Sequence, residues 1–406
     1  MIAFLKKTLK DIPIDGKTIL VRADYNVPLT EDGQISDDYR IVSSLPTLQY
    51  LIDRGCRIVV CSHLGRPDGK VTKKESLEPI ALHLGGLLHQ SVSFVPECIG
   101  DQVVQAVKKL QPGRILLLEN VRFHAGEETN DEVFAQQLAH DSGAAYFIQD
   151  GFGVVHRAHA STAAITHYLP SVAGLLLEKE CRAIIAVTTD PVRPMVAILG
   201  GAKISDKIGV IERFVEAADM VVIGGAMANT FLKYRGYEIG KSLCEDGLDA
   251  IIEKIYKAAA KKTESVDDFI ILPRDVAVAT SLKNDDRRVV VDVKDVKLDE
   301  YILDVGSESI HKIVESIEEA KTVVWNGTLG MAERKNFSYG SARTALALAK
   351  NPHITSVVGG GDTVDFVLKW DSKKGKSFSH VSTGGGAGLE LMAGQPMPGV
   401  DALLDA

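Results

Sequence analysis

Clusters of arginine and histidine crowd the early part of this chain, and glycine tracts crowd the rest. Ser62-His63-Leu64-Gly65-Arg66-Pro67, Glu119-Asn120-Val121-Arg122-Phe123-His124 and His156-Arg157-Ala158-His159 all lie in the first half. A guanidinium grips phosphate or carboxylate through parallel N–H bonds, so this concentration suits a small, highly anionic ligand. The second half carries Gly200-Gly201-Ala202-Lys203, Gly224-Gly225-Ala226, Gly359-Gly360-Gly361-Asp362 and Gly384-Gly385-Gly386-Ala387. Glycine loops that open helices offer backbone N–H groups to a phosphate. Two ligands of different kinds on two halves of one chain point to group transfer. A single arginine after a strand is ordinarily a surface ion-pair partner. The clustering of Arg22, Arg40, Arg66, Arg122 and Arg157 near loops that also carry His, Asn or Asp favours anion binding instead. His124 and His159 are expected to be structural, and His156-x-x-His159 lacks the accompanying cysteine or acid of a metal site.

In the second half, Lys203 and Lys207 stand four residues apart behind Gly200-Gly201. That spacing predicts one face of a helix opening directly after a strand, with two ammonium groups and a positive helix end aimed at one anion. Gly359-Gly360-Gly361-Asp362-Thr363 adds an acid and a hydroxyl at another helix start, which suits a Mg²⁺–phosphate complex. Gly-Lys-Ser/Thr occurs at Gly16, Gly240 and Gly375, but none has a glycine five positions earlier, so there is no P-loop. No G-x-G-x-x-G opens a helix after a strand, which counts against an NAD-dependent oxidoreductase. The protein-kinase catalytic set is missing as well.

The elements that must position these residues follow from patterning. Short apolar runs alternate with longer helical patterns, as in parallel sheets with crossover helices. Strands are predicted over 18–23, 57–61, 92–95, 114–118 and 146–148, then over 195–199, 220–223, 269–272, 322–325 and 355–358. Helical patterns cover 39–53, 77–88 and 131–140. One helix is predicted over 174–187, broken by Thr188-Thr189-Asp190-Pro191-Val192-Arg193-Pro194. The charged, alternating stretch Asn284–Leu298 reads as a solvent-exposed hairpin. Open parallel sheets bind ligands beyond the carboxyl ends of their strands, which sets the arginine loops on one rim and the glycine tracts on another.

At 406 residues, with 45% hydrophobic and 25% charged residues, the chain has the bulk for two α/β domains. Its formal net charge of -8 argues against a nucleic-acid partner. Cys56, Cys61, Cys98, Cys181 and Cys244 are odd in number and lack C-x-x-C spacing, so reduced thiols are expected. The first residues lack the apolar core of a signal peptide, and no apolar run approaches a transmembrane length, so a cytoplasmic protein is expected.

The chain as a whole resembles the phosphoglycerate kinase family. Arg22–Pro28 is similar to that family's R-A-D/V-D-x-N-V-P segment, and S-H-L-G-R-P stands unchanged at Ser62–Pro67. Leu118–Phe123 matches L-E-N-x-R-F, and Asp150–His159 is close to D-A-F-G-x-x-H-R-A-H. Gly200–Lys207, Trp325–Gly327, Gly359–Thr363 and Ser382–Ala387 match four further motifs in order. The resemblance implies two Rossmann-like three-layer αβα domains with parallel sheets, joined by a helix and hinge. These would be a phosphoglycerate-binding domain over 1–172, a helix and hinge over 173–191 and a nucleotide-binding domain over 192–386. A segment over 387–406 would return to the first domain. Asp24, Asn26, Arg40, His63, Arg66, Arg122 and Arg157 would hold 3-phosphoglycerate or 1,3-bisphosphoglycerate. Gly201, Lys203, Lys207, Gly360 and Gly361 would contact ATP or ADP, with Glu333 on the ribose. Asp362 would organise Mg²⁺ with help from Thr363. Arg40, Lys203, Lys207, Gly384 and Gly385 would act on the moving phosphoryl group, while Glu180 and Ser382-Thr383 would serve as hinge positions. The resemblance also implies a monomer. The chain departs from the family's common pattern at Thr328-Leu329-Gly330-Met331-Ala332-Glu333, which stands for P-V-G-V-F-E, at Ala226, which stands for glycine, and at Gly151, which stands for alanine. The first two bear on adenosine affinity or base preference.

Overall fold

Apolar runs with no polar alternation belong in sheets covered on both faces. In the computed structural model, which describes residues 4–283 and 287–406, the first such runs form a parallel sheet. Its strands are β1 (Thr18–Arg22), β2 (Arg57–Cys61), β3 (Val92–Val95), β4 (Ile115–Leu118), β5 (Tyr146–Gln149) and β6 (Ser171–Ala173), in the order β3-β4-β2-β1-β5-β6. Successive side chains on a strand point to opposite faces. Ile19, Val21, Ile58, Val60, Ile115 and Leu117 accordingly enter one core with Ile41, Leu48 and Leu51 of the helix Tyr39–Asp53. Leu20, Val59, Leu116, Leu118 and Phe147 enter another with Phe134, Ala135 and Leu138 of the helix Glu132–Asp141. The sheet is thus the middle of three layers.

The second half repeats this plan with β7 (Met195–Leu199), β8 (Met220–Ile223), β9 (Ile270–Ile271), β13 (Thr322–Asn326), β14 (Thr355–Gly359) and β15 (His380–Val381). They form a second parallel sheet in the order β15-β14-β13-β7-β8-β9. An antiparallel sheet, β11-β10-β12, is made of β10 (Asp275–Ala279), β11 (Val289–Asp292) and β12 (Tyr301–Val305). This corrects the expected hairpin over Asn284–Leu298. Val289–Asp292 pairs with β10 rather than folding back on itself, and a single turn of helix, Val293–Asp295, follows it. Residues 284–286 of that stretch lie outside the described residues.

The chain divides into two compact units, with crossings at Arg182–Ala183 and Gln395–Pro396. The first crossing falls inside the helix Leu175–Thr189. Residues 387–395 group with the second unit, whereas a return from 387 onward is the expectation above. The helix Gly386–Met392 packs there against the helix Ile208–Ala217, and a Cβ on Gly209 would lie 3.2 Å from Ala393. From Pro396 on, the tail belongs to the first unit. Leu404 O accepts Lys7 N at 2.8 Å, and Lys6 Nζ donates to Asp401 O, Leu403 O and Asp405.

In the second unit, Asp304 at the end of β12 is buried and accepts N–H bonds from Val305 and from Gly340, in the first turn of the helix Tyr339–Lys350. Burial outweighs these bonds and pushes its carboxyl up to about 7. The folded unit therefore binds this proton more readily than the unfolded chain. The group's stabilising contribution is complete below its unfolded value of 3.8 and is lost as pH rises toward about 7. Asp304→Asn keeps an acceptor without the charge. In urea titrations followed by the fluorescence of Trp325 and Trp370, both in this unit, the variant should gain on the parent between about pH 4 and about pH 8. A constant or narrowing difference would contradict the assignment.

Candidate active site

The rim of the first unit is assembled by loops that leave the carboxyl ends of β1, β2, β4 and β5. Asp24 is buried; its Oδ2 accepts from Arg40 at 3.0 Å, and its Oδ1 accepts the Asn26 N–H at 3.1 Å. Arg40, in the first turn of the helix Tyr39–Asp53, also donates to Asn26 O at 3.0 Å. Asn26 Oδ1 accepts Gly65 N–H at 2.9 Å, which ties the first loop to the second. Arg122 is buried and donates to Gly65 O at 2.7 Å, while its Nε lies 3.2 Å from Glu128. Asp24, Asn26, Arg40, Gly65 and Arg122 thus form one interlocked set, with His63 Nδ1 3.9 Å from Asp24. Arg66 and Arg157 are exposed beside it, and Arg157 Nε donates to His156 at 3.1 Å.

The two buried histidines of this rim are held neutral. His63 lies well below the ordinary imidazole range because of burial and the charges of Arg22, Arg122 and Arg40. His159 is lowered to about 3 by burial and by Arg22, Arg122 and Arg157. Arg22 is fully buried, with Ser161 and Ala23 O as acceptors and Glu127 3.7 Å away, so it lies behind the rim rather than on it. Four residues without a role in the sequence reading prove important here. Glu75 accepts the Arg66 N–H at 2.9 Å, and Asn120 donates to Leu64 O and Glu75 O, which fixes the His63–Arg66 turn. Glu127 and Ser161 support Arg22. Only Asn120 lies in a run singled out above; Glu75, Glu127 and Ser161 are ordinary polar residues until the fold brings them in.

Among the described residues, Glu97, Cys98 and His124 bring ligand-type atoms within 4.8 Å of one another. Two of those groups already pair, and the third bonds outside the cluster. His124 pairs with Glu97 at 2.8 Å, and the Cys98 thiol, pushed well up by burial, donates to Glu119 O.

In the second unit three glycine-bearing loops cross at the ends of β7, β8 and β13. Gly225 has φ +62°, and a Cβ there would come within 2.6 Å of Gly201 N. Gly327 has φ +102°, and its Cβ would lie 2.1 Å from Gly200 O. These glycines therefore permit backbone to pass against backbone. Gly201 N–H donates to Thr328 O, Gly225 N–H to Leu329 O and Met227 N–H to Gly201 O.

The two lysines do not share a helix face, contrary to the spacing argument. The α-helix begins only at Ile208, with Lys207 as its cap residue and a single 3₁₀ turn before it. Lys207 folds back instead, donating from Nζ to Gly200 O at 2.8 Å, Asn326 Oδ1 at 2.7 Å and Asn326 O at 3.1 Å. Burial lowers it to about 8, against the pull of Asp362 and Asp206. Lys203 is exposed, on a segment whose Ile204 and Ser205 N–H groups are capped by Glu245. Thr363 is fully buried, and its hydroxyl accepts Gly327 N–H at 2.7 Å, so it faces the loop crossing. Gly360, with φ +86°, lies close against Asn326, while Gly361 opens the helix Gly361–Trp370 into free space. Gly384 is buried, and Gly385 caps the helix Gly386–Met392.

A cavity of about 500 Å³ lies beside this crossing. Gly201, Gly225 and Ala226 line one side, Val276, Tyr301 and Leu303 of the antiparallel sheet line another, and Leu329, Met331, Glu333 and Asp362 complete it. A largely apolar cavity with a few convergent polar groups is the usual form of a small-molecule site. Thr328, Met331 and Ala226, three of the positions that depart from the common family pattern, all face it.

The family model for phosphoglycerate kinase matches residues 9–395. The phosphoglycerate kinase of Moorella thermoacetica is 46% identical over 98% of this chain and 99% of its own, and that of Pseudothermotoga lettingae is 44% identical over the same shares. Among solved structures, phosphoglycerate kinase from Coxiella burnetii superposes with a TM-score of 0.85 at 36% identity, covering 98% of both chains. The enzyme from Pyrococcus horikoshii gives 0.81 at 30% identity with the same coverage. No helix among the described residues is long and apolar enough to cross a membrane. With two parallel six-stranded sheets, an arginine-bearing rim on one and a glycine-lined cavity beside the other, the chain belongs to the phosphoglycerate kinase family and is a phosphotransferase that acts on a carboxyl group.

Proposed function

We propose that the chain catalyses reversible, Mg²⁺-dependent transfer of a phosphoryl group between 1,3-bisphosphoglycerate with ADP and 3-phosphoglycerate with ATP. The observation that carries this reading is the distribution of charge. Guanidinium groups gather at the carboxyl end of one sheet, while an apolar cavity edged by Glu333 and Asp362 serves the other. Asp24, Asn26, Arg40, His63, Arg66, Arg122 and Arg157 would hold the three-carbon phosphate. The cavity would take the nucleoside, with Glu333 on the ribose, and Gly201, Lys203, Gly360 and Gly361 near the phosphates. Lys207 supports this region by tying Gly200 to Asn326, and Thr363 by holding Gly327.

Asp362 suits Mg²⁺: it is a hard oxygen donor, exposed in the first turn of its helix and lining the cavity. When bound, the ion would neutralise charge on the nucleotide phosphates. The chain's own groups would orient the two reactants and stabilise the charge-spread phosphoryl group, with Arg40, Lys203 and the amides of Gly384 and Gly385 in that role. The acceptor is a carboxylate, already ionised at neutral pH, so a general base is unnecessary; the neutral, buried His63 fits that requirement. Because the two substrates belong to different units, closure about Glu180 and Ser382-Thr383 is part of this reading.

Purified protein should consume ATP only when 3-phosphoglycerate and Mg²⁺ are both present, in an assay coupled to reduction of the product. ATP consumption without phosphoglycerate, or none with it, would defeat the proposal. Lys203→Ala should lower kcat by about 10²-fold or more while phosphoglycerate KM changes little; equal losses in both would contradict a role in the transition state. Arg66→Ala should raise the phosphoglycerate KM by about tenfold, the size of one charge-assisted hydrogen bond, with ADP affinity unchanged. A matching loss of ADP affinity would show that the ligands are not held separately.

A further inference from the structure

Behind the arginine rim runs a buried chain of polar groups that substrate binding does not consume. Glu127 is fully buried, and its two carboxylate oxygens accept the Ser161 hydroxyl at 2.6 Å and the Ser161 N–H at 2.9 Å. With its hydroxyl hydrogen engaged by the carboxylate, Ser161 Oγ accepts Arg22 Nε at 2.7 Å. Another arm of the same guanidinium lies 3.7 Å from Glu127 and 3.3 Å from Nδ1 of His63. Arginine can only donate. Nδ1 of His63 must therefore present a lone pair, and the proton of the neutral ring sits on Nε2. A protonated ring would set N–H against N–H at this contact.

The groups facing the ring agree. Arg22 comes from β1, Arg40 from the helix Tyr39–Asp53, Arg122 from the turn after β4 and His159 from the loop after β5. The opposing carboxylate, Asp24, stands 3.9 Å from Nδ1 and is already engaged by Arg40 and the Asn26 N–H. Glu127 reaches the Arg157 loop too. Its backbone carbonyl accepts Ala160 N–H at 2.9 Å, and Thr162 in the same loop donates to Arg157 O at 2.8 Å.

We propose that His63 meets its anionic ligand as a neutral imidazole donating from Nε2, and that Glu127, acting through Ser161 and Arg22, is the positioning residue that fixes this tautomer. The choice of ligand rests on the phosphoglycerate reading above; the tautomer does not.

Histidine-labelled protein, without ligand, is examined by ¹⁵N NMR between about pH 5.5 and about pH 8, the range in which an ordinary imidazole changes charge. The His63 signals are identified by their loss in His63→Asn. Nδ1 should read as an unprotonated acceptor and Nε2 as protonated throughout. Protonation of the ring in that range, or a proton on Nδ1, overturns the proposal whether or not the protein turns over phosphoglycerate. Glu127→Gln keeps an acceptor for Ser161 but removes the charge opposite Arg22. It should raise the phosphoglycerate KM about tenfold with the ATP KM unchanged, and mix the two tautomers. Glu127→Asp, which restores the charge, should recover part of the loss. An unchanged tautomer and KM in Glu127→Gln overturn the positioning role. Should that variant fail to fold, Ser161→Ala removes the bridging hydroxyl alone and is held to the same two readouts.

Discussion

Gathering positive charge tightly enough to hold a small anion creates a problem for the folded chain when the ligand is absent. Arg22, Arg40, Arg122 and Arg157 all act on the buried histidines of one rim, and like charges at such range repel. The first unit answers with carboxylates set against the guanidinium groups. Asp24 lies against Arg40, Glu128 beside Arg122 and Glu127 behind Arg22. Each acid offsets part of that charge. The Arg22–Glu127 pair is the most demanding of them, because both side chains are entirely out of water. A buried pair yields little net stability, yet stripping away one partner costs about 3–5 kcal/mol. Its value here lies in geometry: a planar, fully buried guanidinium can hold an imidazole in one orientation.

The second unit reaches the same end by nearly opposite means. Its loops meet at backbone distances that a Cβ would forbid at Gly225 and Gly327, and the lone ammonium of Lys207 binds the crossing through three carbonyl oxygens. That position explains why Lys207 is lowered to about 8 when an acid lies nearby, since desolvation outweighs the charge of Asp362. It also separates the roles of the paired lysines. Lys207 ties the crossing together, while Lys203 is exposed.

Much of this was legible in the residues. Ten apolar runs from Thr18 to Thr355 became strands within a residue of their expected ends, since strands buried on both faces cannot hide among polar alternation. β6 and β15 have three and two residues, too short to show a pattern. The antiparallel strands β10 and β12 were missed because nothing local specifies their partners, and β11 was misread as half of a hairpin for the same reason. Among site residues, the rim arginines announced themselves by clustering. Glu75, Glu127 and Ser161 did not, because a second layer is recruited by tertiary proximity, and sequence separation hides it. The lysine pair misled because a four-residue spacing implies a shared face only if the helix has already begun.

The proposed reaction needs no histidine base. An imidazole among guanidinium groups cannot keep a second proton, and an acceptor that is already a carboxylate has no proton to surrender. On the proposed reading, neutral histidine suits this place: it would add a directed N–H to the anion without adding positive charge beside Arg22, Arg40 and Arg122. A lysine at position 63 would add that charge and face Arg22 directly. The same reasoning accounts for His159, which burial and the charges of Arg22, Arg122 and Arg157 lower to about 3, and which lies 3.9 Å from Glu127, beyond hydrogen-bond reach. Charge on this rim is thus carried by arginines and carboxylates, and the buried histidines contribute shape and hydrogen-bond direction.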